Sequence, residues 1–263
     1  MTLTFLGTGT SHGVPMIACS CPICTSTDPR DVRTNASVLI SVGGKNILID
    51  CGRDFHQQAV KHRLDRVDHV LLTHTHFDHV AGIDDLRVFT SRRRESIPIF
   101  GRQDHLAYLR AYIYHYLFDP KVQKGGGIAD IDLVALNGRF LLEGVLIEPL
   151  PVYHGSMEIL GYKFGNCAYL SDVSKIPNAT LQKLYGLDVL ILGALRHTKH
   201  PTHFNISQAL AVVSELEPKR SYFTHICHDV LHEQVEKDFS DPDSPYCSSL
   251  EVHLAYDGLK LAL

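Results

Sequence analysis

The chain has 263 residues, of which 44% are hydrophobic and 21% charged, with Lys+Arg 25 against Asp+Glu 29 and a formal net charge of -4. This balance excludes a mostly disordered chain. It also weighs against wholesale binding to a nucleic-acid backbone, which favours a basic protein; Arg92, Arg93 and Arg94 form only a local basic patch. No apolar run approaches the roughly 20 residues needed to cross a bilayer, and residues 1–6 lack the charged start and long apolar stretch of a secretory signal. The expectation is a cytoplasmic protein without a membrane partner. The 17 His and 7 Cys stand out. An odd cysteine count argues against a disulfide framework, and Cys19, Cys21 and Cys24 within six positions read as metal ligands in a reducing compartment.

In chain order, short runs rich in Val, Ile, Leu and aromatics predict strands over 2–6, 37–42 and 46–49, the last two joined by a hairpin turn at Gly43-Gly44-Lys45. A short helix is expected over 54–63, then strands over 69–72 and 97–100. Residues 104–117 place Leu106, Leu109, Tyr112, Ile113, Tyr116 and Leu117 on one helical stripe. The segment 123–129, with Gly125-Gly126-Gly127, is the loosest stretch and is read as a flap. Strands follow over 145–150, 162–164, 168–170 and 189–192. A helix over 208–216 is capped by Asn205 with Gln208 three positions later, and strands over 221–224 and 251–254 close the series. So many strands alternating with helices predict an α/β protein with two sheets covered by helices, read as one domain over 1–263.

The chemistry concentrates in Thr-His-Thr-His-Phe-Asp-His at 73–79. His74, His76, Asp78 and His79 follow an apolar strand. Residues two apart in an extended segment share a side, so His74, His76 and Asp78 can converge while His79 turns in at a helix start. Imidazole and carboxylate suit zinc and similar divalent ions, and four clustered ligands with others downstream suggest two ions.

His74-x-His76-x-Asp78-His79 resembles the signature of the metallo-β-lactamase superfamily. Further likenesses are the strand ending at Asp50-Cys51-Gly52, Pro151-Val152-Tyr153-His154, Ala168-Tyr169-Leu170-Ser171-Asp172 and the strand running into His225. The resemblance implies a four-layer αβ/βα sandwich, two mixed β-sheets flanked by helices, with a dinuclear site at the sheet edges. It also implies that His74, His76 and His154 hold one metal, that Asp78, His79 and His225 hold the other, and that Asp172 bridges them. Asp50 would stand behind the ligands and fix the loop that carries the histidines. Zinc and manganese both suit such a His/Asp set.

Cys19, Cys21 and Cys24 supply three thiolates, and a closed tetrahedral zinc site needs a fourth ligand. His228, three residues after His225, is the first choice, with Cys227 and Cys51 as rivals. The opening Gly7-Thr8-Gly9-Thr10-Ser11-His12-Gly13-Val14-Pro15 followed by these cysteines resembles the phosphoribosyl cyclic phosphate phosphodiesterase branch of the superfamily. That branch similarly carries a structural zinc held by three early cysteines and one late histidine. His12 and the tyrosines at 108, 112, 114 and 116 depart from it. The Gly-rich opening lacks the Gly-Lys-Ser/Thr ending of a phosphate-binding P-loop.

The expected activity is metal-dependent hydrolysis of small, cyclic or unhindered phosphodiesters by a hydroxide activated between two divalent ions, with Asp78 orienting it or taking its proton. His203, just before the Asn205-capped helix, is the candidate proton donor; His197 and His200 are rivals, and His12 and His200 are candidate substrate contacts. The alternatives are a ribonuclease Z-like endonuclease, a glyoxalase II-like thioesterase and a non-enzymatic zinc-stabilised binding protein. A homodimer is expected by analogy only.

Overall fold

The computed structural model describes residues 1–123 and 127–263. Lys124, Gly125 and Gly126, the centre of the expected flap, lie outside the described residues.

The first sheet is built from β1 (Thr2–Gly7), β2 (Ser37–Val42), β3 (Lys45–Ile49), β4 (His69–Leu71), β5 (Ile97–Gly101) and β6 (Ile131–Ala135), with β14 (Lys260–Ala262) returning to its edge in the order β14-β1-β2-β3-β4-β5-β6. Its first half is antiparallel, and β3 to β6 run parallel. The second sheet repeats this plan. β7 (Phe140–Leu142), β8 (Val145–His154), β9 (Met157–Phe164), β10 (Cys167–Leu170), β11 (Val189–Gly193), β12 (Arg220–Thr224) and β13 (Val252–Leu254) stand in the order β13-β12-β11-β10-β9-β8-β7, parallel from β10 to β13. The β2–β3 hairpin turns through Gly43 and Gly44, both at positive φ (56° and 76°), the geometry of a two-residue turn that favours glycine.

Alternation along the strands sorts side chains into layers. Ile47, Ile49, Leu71, Tyr162, Tyr169 and Ile191 fill the space between the sheets. Leu48, Val70 and Leu72 face outward under α1 (Phe55–Lys61) and α3 (Arg87–Arg93), which contribute Phe55 and Phe89. Leu170, Leu190, Leu192 and Phe223 face outward under α7 (Ile206–Leu216) and α8 (His232–Asp238), which contribute Val213 and Val235. Helix, sheet, sheet, helix is the expected four-layer sandwich. Asn205 caps α7 reciprocally with Gln208. No described helix is long and apolar enough to cross a membrane.

One expectation is corrected. The helix over 104–117 is broken into α4 (Gln103–Tyr108), a π-helical turn at Leu109–Ile113 and α5 (His115–Phe118). A π turn holds more residues per turn than an α-helix and so shifts the phase. Tyr112 is thereby 74% exposed, and Tyr114 is buried in its place with its hydroxyl donating to the Val80 carbonyl. β8 joins the expected strand over 145–150 to the segment 151–154, read as a strand ending in His, and passes through Pro149 and Pro151. β7 pairs only with residues 145–147 of β8, so no strand lies beside the two prolines on that side and a missing N–H there breaks no ladder; at Tyr153 that side is taken up by Lys175.

Asp68, at the entry to β4, accepts the Asn46 N–H (2.9 Å) and faces Lys45 (3.3 Å), Arg66 (2.5 Å) and Arg93 (3.0 Å). Burial pushes its carboxyl up, but the Arg66 hydrogen bonds, the Asn46 N–H and the two other cations outweigh this and hold it at about 2. A depressed folded-state pKa stabilises above the unfolded value and loses that contribution as pH falls towards the folded value. Asp68→Asn is therefore expected to cost about 2 kcal/mol near neutral pH. In urea titrations the gap to the parent protein should close as pH falls from about 4 towards 2. A gap that stays constant over that window would contradict the assignment.

Candidate metal centres

Both sheets deliver chemistry at the same edge, where their parallel strands end. Asp50 follows β3, Thr73 and His74 follow β4, His154 ends β8, Asp172 follows β10 and His225 follows β12. His76 caps α2 (Phe77–Val80), whose first turn carries Asp78 and His79. Asp50, Asp172 and His225 all adopt left-handed backbone, φ 62°, 59° and 59°. Non-glycine residues rarely take this conformation, and it clusters at functional sites where surrounding structure enforces it. Here it ends a strand abruptly and turns the side chain into the gap between the sheets.

The ligand atoms of His74, His76 and His154 lie within 4.8 Å of one another, as do those of Asp78, His79, Asp172 and His225. Asp172 faces both groups: its Oδ2 is 4.0 Å from His74 Nε2, and its Oδ1 is 3.4 Å from His79 Nε2 and 3.1 Å from His225 Nδ1. The second ring nitrogens of His74, His79, His154 and His225 are held. Asp50 accepts the Thr73 N–H and hydroxyl (both 2.8 Å) and the His79 Nδ1–H (2.7 Å), and His74 Nδ1 is 3.0 Å from the Thr73 hydroxyl oxygen. His154 Nδ1 donates to the Thr202 carbonyl (2.8 Å), and His225 Nε2 meets the Thr10 hydroxyl (3.2 Å). Such partners fix tautomer and ring direction. Sequence reasoning missed Thr10, Thr73 and Thr202. Thr73 sat inside the motif; the Thr202 contribution is a carbonyl that any residue could supply.

These residues fit divalent cations. His74 Nε2, His79 Nε2 and His225 Nδ1 are buried and make no hydrogen bond to a described residue, although they converge on carboxylates. Burial alone would push His79 down, yet Asp172, Asp78 and Asp50 outweigh it and raise its pKa well above the usual value. Burial and the neighbouring imidazoles hold His74 well below its usual value. Three carboxylates facing one buried imidazole gather negative charge in the pocket, which bound cations would balance.

His203 lies against this cluster, its ring stacked on His225 (4.9 Å between centroids, 16°) and edge-on to His154 (4.5 Å). Backbone bonds from Phe204 N–H to Val173 O (2.7 Å) and Leu195 N–H to Phe204 O (2.9 Å) hold its loop there. Burial and the charge of His225 push His203 down to about 3. Of the rivals, His200 packs on His203 (5.0 Å) and accepts the Thr202 N–H at its Nδ1 (3.3 Å), and His197 stacks on Tyr246.

The second cluster joins Cys19, Cys21 and Cys24 to His228, whose Nδ1 lies 3.4, 3.6 and 3.6 Å from the three sulfurs. The Cys24 N–H favours the Cys21 thiolate despite partial burial, and with help from His228 and Cys19 lowers it to about 6. Burial and the neighbouring sulfurs push Cys24 up to about 11, because a second anion beside the first is unfavourable. Three sulfurs and one imidazole nitrogen at this spacing suit a closed zinc site. The rivals stand elsewhere: Cys227 donates to Asp229, and Cys51 is packed in the hydrophobic layer beneath α1. His12 packs edge-on against His228 (5.3 Å), next to the thiolate site.

Residues 45–226 match the family model of the Beta-lactamase superfamily domain. Along 100% of this chain and 97% of the other, the crystal structure of a new diphosphatase from the PhnP family superposes with a TM-score of 0.89 at 38% identity. An octanoyltransferase of Porphyromonas gingivalis is 36% identical over 262 residues, 99% of this chain and 51% of that protein. A ribonuclease Z of Bradyrhizobium diazoefficiens is 37% identical over 173 residues, 62% of this chain and 49% of that protein. The chain thus spans about half the length of these two curated relatives. The family match across most of the sandwich and the PhnP-family superposition make this chain a member of the metallo-β-lactamase superfamily, similar to its PhnP family, with His/Asp and Cys/His clusters that could hold metal ions.

Proposed function

We propose that the protein is a metal-dependent phosphodiesterase acting on small, including cyclic, phosphodiesters. The observation that carries this reading is the position of His203, an imidazole outside the two expected ligand sets whose ring stacks on His225 and whose ligand atom lies within 4.8 Å of those of His154 and Asp172. His74, His76 and His154 would hold one divalent ion, zinc or manganese. Asp78, His79 and His225 would hold a second, with Asp172 shared between them. When bound, such a pair polarises a phosphoryl oxygen and lowers the pKa of a water.

The protein's own groups do the rest. Asp78 orients the attacking water and accepts its proton as the new O–P bond forms. The bond from phosphorus to the leaving oxygen breaks, and His203 gives that oxygen a proton. His203 takes up its proton when the anionic substrate binds, since a nearby negative charge offsets the burial and the cationic neighbours that depress it. Thr10, Thr73, Thr202 and Asp50 keep the imidazoles aligned through the cycle. Cys19, Cys21, Cys24 and His228 would hold a structural zinc that pins the loop over 15–25 to the segment carrying His225. His12 and His200 remain candidate substrate contacts on either side.

His203→Ala is expected to lower kcat by about 10²–10⁴-fold towards a diester with a poor leaving group. Metal content should not change. Equal rates on that substrate would remove His203 from the mechanism. The ribonuclease Z relatives favour one second reading, an RNA endonuclease, and the superfamily admits a thioesterase. Bis-p-nitrophenyl phosphate, a 2′,3′-cyclic nucleotide, a ribose 1,2-cyclic phosphate, pre-tRNA and lactoylglutathione separate the three. Turnover of the small diesters is expected; turnover of pre-tRNA or the thioester alone would overturn the proposal.

A further inference from the structure

Tyr108 and Tyr112 belong to the tyrosine-rich segment, yet neither the core nor the proposed chemistry uses them. That segment runs beside the residues that carry the ligands and is fastened to them at two points. At one, His105 of α4 is hydrogen-bonded to the Thr73 backbone and lies near His76. At the other, the Tyr114 hydroxyl donates to the Val80 carbonyl (2.9 Å). Thr73 and Val80 stand immediately before His74 and after His79, so the two anchors bracket the ligand motif. Between the anchors Tyr108 and Tyr112 are 50% and 74% exposed, with their rings packed on each other at 5.1 Å between centroids. In the motif itself Phe77, between His76 and Asp78, is 69% exposed. Three exposed rings thus stand on two segments that are bound together around the ligands.

The backbone creates this exposure. A continuous α-helix would keep Tyr112 on the apolar stripe of Leu106 and Leu109. The π turn at Leu109–Ile113 gives the inward place to Tyr114 and sets Tyr112 beside Tyr108, four residues earlier. Such turns recur at functional sites. The facing of α4 agrees. Tyr108 lies one turn beyond Asp104 on the same side of the helix. Asp104 pairs with Arg102, and Arg102 pairs with Glu158. Glu158 stands opposite Tyr153, next to His154 at the turn between β8 and β9. The side of α4 that carries Tyr108 is therefore the side turned to the His154 half of the cluster.

The ions of the proposed centre would take the phosphoryl end of a diester, which leaves its alcohol part to meet these rings. Neutral aromatic faces suit a flat heteroaromatic group, and stacking on them tolerates any base. We propose that Tyr108 and Tyr112, with Phe77, form a stacking platform for a nucleobase, so that the substrate class is a phosphodiester whose sugar carries a base. This rests on the phosphodiesterase reading and narrows it. The test compares adenosine 2′,3′-cyclic phosphate with methyl β-ribofuranoside 2′,3′-cyclic phosphate, in which a methoxy group replaces the base, alongside bis-p-nitrophenyl phosphate, on the metal-loaded protein.

The parent protein should favour the adenosine substrate by about 5–150-fold in kcat/KM, chiefly through KM, the range of one base stacked on an aromatic side chain. Tyr112→Ala and Tyr108→Ala should each bring that ratio towards one, whereas Tyr112→Phe should keep it, because the ring stays. A ratio near one in the parent protein, or an unchanged ratio in both Ala variants at normal thermal stability, would overturn the assignment while leaving the phosphodiesterase reading intact. So would loss of the ratio in Tyr112→Phe, or hydrolysis of bis-p-nitrophenyl phosphate with neither cyclic substrate turned over. If an Ala variant does not fold, the parent ratio and the Phe variant still decide. No turnover of any of the three substrates would defeat the underlying reading, and this inference with it.

Discussion

Asp172→Ala is expected to lower hydrolysis of bis-p-nitrophenyl phosphate by more than roughly 10³-fold, beyond the 10–100-fold that loss of a supporting outer partner costs a metal site. The reason is position. Among the described residues Asp172 is the one carboxylate whose two oxygens face both halves of the cluster, His74 on one side and His79 with His225 on the other. Burial would raise its pKa, but His225, His79 and His74 hold it well below the usual range, so it stands ionised among them. Without it, three converging buried imidazoles lose the anion that balances any cation among them. Metal analysis of the purified variant should show the dinuclear occupancy reduced and the thiolate-bound ion retained. An undiminished metal count with normal turnover would refute its shared role.

Cys21→Ser should act on stability more than on chemistry. Cys21 is one of three sulfurs around His228, and the site ties a loop near the N-terminus to the segment that follows β12. In small zinc peptides metal binding supplies about 10–16 kcal/mol of apparent folding free energy. Here most of the fold is held by its three hydrophobic layers, and a zinc bound by the thiolates would only secure loops against them. The expected loss is therefore a fraction of that value, on the order of 3–5 kcal/mol, or a fall in Tm of roughly 10 °C for a domain of this size. The bound zinc should fall by one equivalent, and kcat of the folded fraction should drop by less than about tenfold. Unchanged zinc and unchanged melting would show these cysteines to be free thiols.

Much of this arrangement was legible in the residues themselves. The motif at 74–79 announced a cluster because strand periodicity and a helix start bring those four side chains to one place whatever lies beyond. The strands 37–42 and 46–49 read cleanly because alternation and a Gly-Gly turn agree. The strand through Pro149 and Pro151 was read in two pieces, 145–150 and 151–154; that they form one strand did not show, since the side that tolerates the prolines is set by the length of β7. The phase of the Tyr-rich helix was hidden because a π turn at 109–113 leaves no signature in hydrophobic spacing. The left-handed backbone at Asp50, Asp172 and His225 was equally hidden, because surrounding structure imposes it on residues that do not prefer it. The carbonyl of Thr202 emerges only when distant segments are brought together.

The central claim is that folding gathers these imidazoles and carboxylates around a pair of cations, with a third ion among the thiolates. Anomalous diffraction from crystals of the purified, metal-loaded protein, collected at the absorption edges of zinc and manganese, tests it most directly. The account predicts two neighbouring peaks, one among His74, His76 and His154 and one among Asp78, His79 and His225, both beside Asp172, and a separate zinc peak among Cys19, Cys21, Cys24 and His228. Density without metal at the His/Asp cluster under saturating ion would contradict it.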